Sequence, residues 1–232
     1  MEYAEFALRW FHFLAGVTWI GVLYYFNFIQ TPFFGSELGG SAKSAMTRGL
    51  VPNALWWFRW GAMFTFLTGW LIVFMKLGHG VGLDSGYMTR VLTGGLMGTL
   101  MWANVWFVIW PAQQIVIANA ESVAAGGEAN PAAAGAGGKA GMASRTNTLF
   151  SIPMLLFMGS ASHLPSLAGA ADAGASVMPY WIAALIVTLL VEVNGLIGPG
   201  AGSQKPLTTV SGTIHAGLGL TLLLLILMIV LV

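Results

Sequence analysis

The stretch Arg9-Trp10-Phe11-His12-Phe13-Leu14-Ala15-Gly16-Val17-Thr18-Trp19-Ile20-Gly21, followed by Tyr24-Tyr25-Phe26-Asn27-Phe28-Ile29-Gln30-Thr31-Pro32, decides how the chain reads. It lies inside an apolar run over residues 5–33, long enough to cross a ~30 Å hydrocarbon core as a helix. A helix that only anchored the chain needs no histidine near one end and no Asn27 and Gln30 near the other. Polar groups in hydrocarbon are expensive, so they face a partner, a cofactor or water. The remaining sequence is expected to enclose what this helix presents.

Working outward, the composition agrees. Of 232 residues, 57% are hydrophobic and 7% charged, against about 25% charged in a soluble domain. The fold class expected is an all-α integral membrane protein, one domain over residues 1–232. A net charge of +1 argues against nucleic acid as a partner. Cysteine is absent, which excludes thiolate metal sites, Fe–S clusters and covalent c-type haem attached through Cys-x-x-Cys-His. Glu2 and Glu5 stand where a signal peptide has basic residues, so no such leader is expected.

Six apolar segments reach spanning length, near 5–33, 53–77, 88–113, 145–166, 178–198 and 207–232. The fourth contains Pro153 and the polar run Gly159-Ser160-Ala161-Ser162-His163, which suggests a kink or a re-entrant path and leaves five spans as the alternative. Residues 35–52 read as a polar connection with room for a short surface helix. The third segment is expected to continue as an amphipathic tail to about Glu121. Residues 123–141 are an Ala/Gly tract expected to be a flexible loop. Gly94 and Gly98, and later Gly212, Ala216 and Gly219, thin helix faces for close packing.

Basic residues set the orientation. Lys43, Arg48, Arg59, Lys139, Arg145 and Lys205 fall on one side, and Arg9, Lys76 and Arg90 on the other. The positive-inside rule then puts both termini outside, in the periplasm if the membrane is the bacterial inner one. His12, His163 and the loop residue His79 collect toward the outer face. Asn27, Gln30, Asn104, Glu192, Asn194 and His215 lie in the inner half. Glu192 and His215 share a depth, and a Glu–His pair in lipid suits proton relay. Arg59, within Trp56-Trp57-Phe58-Arg59-Trp60, reads either as an anchor snorkelling to the surface or as the counter-ion of a propionate or anionic substrate. The twelve methionines show no Met-x-x-Met pairing that would indicate copper. Imidazoles on separate helices of one bundle fit b-type haem better, with each histidine alternatively a mere inter-helix hydrogen bond.

Several segments resemble the membrane domain of the bacterial urate oxidase (urate hydroxylase) family. They are His12 to Gly21 with Tyr24 to Pro32, then Gly61-Ala62-Met63-Phe64-Thr65-Phe66-Leu67-Thr68-Gly69. The others are Asn104-Val105-Trp106-Phe107-Val108-Ile109-Trp110-Pro111, and Arg145-Thr146-Asn147-Thr148-Leu149-Phe150-Ser151-Ile152-Pro153-Met154 leading to His163. The opening helix is also similar to those of the membrane protoporphyrinogen oxidase and copper-resistance families, whose first-helix histidine is thought to meet haem or metal. The resemblance implies a redox role. In the full-length family a cytochrome c domain follows; here, without cysteine, any c-type haem is expected on another polypeptide.

The expectation is therefore a membrane-integral redox subunit surrounded by lipid. It holds haem b, with His12 and His163 as iron ligands and His215 as the substitute. It exchanges electrons with a separate cytochrome c or a larger membrane complex. Arg59 is a cofactor-binding candidate. Asn27, Gln30, Arg59 and Asn104 are expected to line a polar pocket for substrate or quinone. Glu192, His215 and Asn104 are the candidate catalytic residues. The alternatives are a membrane-bound urate hydroxylase and a cofactor-free accessory subunit of a larger complex.

Overall fold

A computed structural model describes residues 2–197 and 200–232. Every regular element among the described residues is helical. Six long helices follow in order: α1 (Glu2–Phe34), α2 (Glu37–Gly78), α3 (Gly86–Ala124), α4 (Ala133–His163), α5 (Met178–Leu196) and α6 (Val210–Leu231). All but α4 are long and apolar enough to cross a membrane.

The exception is explained by where α4 sits. It is the hub: α1, α3, α5 and α6 all pack against it, while α2 packs on α1 and α3. A helix wrapped by its neighbours needs no apolar coat, so Thr146, Asn147, Thr148 and Ser151 are buried on it beside Phe150, Met154 and Phe157. The expected re-entrant break is not found. The helix runs unbroken through Pro153 to His163.

Two further expectations are corrected. Residues 35–52 are no separate connection, because α2 is one 42-residue helix with Pro52 inside it. Ser36 caps its start, its hydroxyl accepting from the Gly39 N–H at 3.1 Å. Thr47, Val51, Leu55, Phe58 and Ala62 are buried at helical spacing across the proline. That continuous packed face outweighs the one backbone bond Pro52 removes. The Ala/Gly tract is likewise helical from Ala133 onward, with a loop only before it. Alanine is the best helix former, and Ala140 and Ala143 are buried in the core. The tail of the third span runs to Ala124, close to expectation. The expected end of the fifth span at 198 lies outside the described residues.

Neighbouring helices alternate in direction. His12 meets Thr68 while Trp19 lies against Gly61, where a methyl group would come 3.1 Å from the Trp19 backbone nitrogen. α4 and α6 run parallel, and both termini lie at one end of the bundle, since the segment after α4 lies beside Met228 and Val232. At this end Glu5 pairs with Arg9 at 2.6 Å and with Lys76 at 2.7 Å. Also here, Arg90 is buried and donates to the carbonyls of Pro165 and Leu167. Arg90→Met removes both donors at once. Hydrogen exchange at the Leu167 and Gly169 amides should then accelerate by roughly one to two powers of ten, for a loss of about 1–3 kcal/mol of local stability. Unchanged exchange there would show that the loop holds itself.

Two stretches widen into π-helix, Tyr25–Gln30 in α1 and Asn104–Ile109 in α3. Each stops shortly before a proline, Pro32 and Pro111. A proline cannot donate and crowds the preceding turn, and π turns are frequent at functional sites.

Candidate functional site

His12 sits half-buried on α1 against α2. Its Nδ1 lies 2.9 Å from the Thr68 hydroxyl oxygen. That hydroxyl donates its only proton to a backbone carbonyl of its own helix, Phe64 at 2.6 Å or Thr65 at 3.1 Å. Toward the ring it can therefore only accept. Nδ1 carries the proton, and Nε2 keeps its lone pair. No described residue hydrogen-bonds Nε2. This is how an imidazole ligand is set: one nitrogen held by an outer partner, the other free to bind iron.

The other expected imidazoles do not join it. His163 is the last residue of α4 and is exposed. His215 is exposed on α6, its Nδ1 2.7 Å from the Ser211 carbonyl of its own helix. His79 caps the end of α2, also exposed. No group of three or more His, Asp or Glu gathers as a metal site among the described residues. The donor set thus fits haem ligation by His12 alone, and no second imidazole faces it across the bundle.

A second polar centre lies in the core. Asn104 begins the π stretch of α3 and donates through Nδ2 to Asn147 Oδ1 at 2.9 Å and to Glu192 Oε2 at 3.1 Å. Asn147 in turn donates to the Met101 carbonyl at 3.0 Å, at the turn where α3 passes from α- to π-helix. Their exposures are 2% for Asn104, 0% for Asn147 and 7% for Glu192, so the cluster is nearly sealed. It ties α3, α4 and α5 together. The expected Glu192–His215 pair does not form: Asn104 is the partner of Glu192, and His215 faces outward.

Nor do the expected pocket residues converge. Asn27 donates to the Leu23 carbonyl at 2.9 Å and to the Ser144 hydroxyl at 2.8 Å. Gln30 is buried with its Oε1 unpartnered. Arg59 stacks on Trp110, 3.5 Å from the ring centroid, with Trp106 at 5.6 Å. A cleft of about 300 Å³ opens elsewhere, between α4, α5 and α6, with Leu149, Val191 and Leu220 as walls and Asn194 and Ser203 among its lining residues. Sequence reasoning missed Thr68, Ser144 and Asn147. Their signals were polarity on helices that otherwise read as apolar and, for Thr68 and Asn147, a place inside the resembling segments.

Residues 82–194 match the family model described as urate oxidase N-terminal. Over those residues, just under half of the chain, the sequence is similar to the urate oxidase N-terminal family. The family stretch runs from just before α3 into α5 and holds all three members of the core cluster, Asn104, Asn147 and Glu192. It also contains two of the resembling segments, Asn104 to Pro111 and Arg145 to Met154, whereas His12 and Thr68 precede it. No curated protein and no solved structure matches the chain.

Proposed function

We propose that the chain is a membrane-integral redox subunit of the urate oxidase type, carrying b-type haem on His12. It exchanges electrons with a separate cytochrome c or a larger respiratory complex in the bacterial inner membrane, with both termini on the periplasmic side. The observation that carries this reading is the bond between His12 Nδ1 and a Thr68 hydroxyl whose proton is already committed. It leaves Nε2 as the free lone pair. Bound there, haem supplies a one-electron carrier. Thr68 holds the ring in its tautomer and orientation. Glu192 is the proton-handling group, its carboxylate positioned by Asn104, which Asn147 orients in turn.

The test is an optical spectrum of the purified chain after expression with haem supplied. The wild type should show a Soret band and His12→Ala should show none. Thr68→Val should weaken haem retention by roughly ten- to a hundredfold, the usual cost of losing an outer partner. A wild type with no Soret band, or a His12→Ala variant that keeps one, overturns the assignment.

Urate hydroxylation by the chain itself is the second reading, supported by the family match across the Asn104–Asn147–Glu192 cluster. It requires that purified chain consume urate when a competent electron acceptor is added, and that Glu192→Gln stop this.

A further inference from the structure

Arg59 has a place in the fold that the redox reading does not use. The only ion pairs among the described residues are those of Glu5 at the other end of the bundle. Arg59 donates through Nε to the carbonyl of Leu55 on its own helix, at 3.4 Å. Its terminal nitrogens donate to no described residue. One face of the guanidinium is covered by the Trp110 ring, and Trp106 lies beside it. The Trp106 indole N–H is buried and has no acceptor. The locus thus presents donors: the terminal nitrogens of a fixed planar cation, which receive no oxygen from a described residue, beside an orphaned indole N–H.

Depth says what can bring the oxygens. Arg59 lies roughly 28 Å along α2 from Gly78, and Trp106 roughly 30 Å along α3 from Gly86, at ~1.5 Å per residue. Both distances match a hydrocarbon core of about 30 Å. Trp56, Trp57 and Trp60 on α2 are exposed around Arg59, as tryptophans are at a headgroup boundary. Beyond them α2 continues with Arg48 and Lys43, so the potential stays positive. Arginine's fork suits phosphate oxygens bidentately while its face remains stacked on an indole.

We propose that Arg59, with Trp106 and Trp110, forms a specific site for the phosphate of an anionic phospholipid on the side of the membrane opposite the termini. Stacking on Trp110 holds the guanidinium in place, so the lipid meets a preformed donor set. Independently of haem, the lipid would clip α2 to α3.

The full-length protein in neutral detergent is titrated with phosphatidylglycerol, with phosphatidylcholine and with inorganic phosphate. Retained lipid is read by native mass spectrometry and binding by tryptophan fluorescence. Phosphatidylglycerol should be retained in preference to phosphatidylcholine, and inorganic phosphate alone should not displace it. Arg59→Gln should lower affinity for phosphatidylglycerol roughly fivefold or more, the share of one basic residue near an anionic leaflet. Trp110→Leu keeps the charge but removes the stacking; it should lower affinity less, and it serves if Arg59→Gln does not fold. Equal retention of the two lipids by the wild type overturns the proposal. So does unchanged affinity in the variant that folds. Displacement of lipid by millimolar phosphate assigns the site to a soluble anion and overturns it too.

Discussion

Asn147→Ala is expected to destabilise the protein by roughly 1–3 kcal/mol, as measured by unfolding in detergent. Asn147 is fully buried and sits between two partners, accepting from Asn104 and donating to the Met101 carbonyl. Alanine leaves that carbonyl and one of the Asn104 contacts without a partner where water is absent. Single hydrogen bonds between membrane helices average about 0.6 kcal/mol, so the loss must come from two broken bonds and the stranded carbonyl together. Thr148→Val is the control. Thr148 is as deeply buried, but its hydroxyl bonds only to the Ser144 carbonyl of its own helix. Equal stability of the two variants would mean that the amide network does not hold α3, α4 and α5 in register.

Gly217→Val should cost about 3 kcal/mol or more, at the upper end of overpacking effects, and scatter the protein on size-exclusion chromatography. A Cβ at this position of α6 would stand 2.5 Å from Ile152 Cδ1 and 2.9 Å from the Leu149 carbonyl oxygen. The isoleucine can turn away; the α4 backbone cannot. Gly219, two residues along the same helix, has nothing within 4 Å of such an atom. Gly219→Val should therefore stay within about 0.5 kcal/mol of wild type. The same residue type on the same helix should thus give opposite outcomes. Similar behaviour of the two variants would mean that α6 does not pack through Gly217.

Much of the architecture was readable because hydropathy is local. Apolar runs of spanning length need only be counted, and the tail of the third one ended within a few residues of where its amphipathic pattern stopped. Helix four was the difficult one for a physical reason. A central helix hides from lipid behind its neighbours, so its polar residues carry no penalty and its hydropathy falls. Pro52 misled in a similar way, because the face of α2 that keeps the helix continuous belongs to packing with other helices.

Pairing was less readable. Counting residues from a helix end gives depth but not which way a side chain faces. Glu192 lies on the face of α5 with Thr188, Ala184 and Gly195, turned inward. His215 lies roughly 200° around α6 from Thr213 and Gly217, the buried face, and so turns outward. Equal depth therefore did not bring these two together.

By itself the sequence determined that this is a helical chain with several segments able to cross a membrane, and that His12, Asn104 and Glu192 are costly to place there without a purpose. Those conclusions follow from transfer energies, which depend on residue type and run length alone. Only the tertiary structure decided that α4 is the hub, that Thr68 sets the tautomer of His12, and that Asn147 joins Asn104 to complete the Glu192 cluster. Each of these depends on how neighbouring helices are rotated about their axes, and that rotation is chosen by packing between residues far apart in the chain.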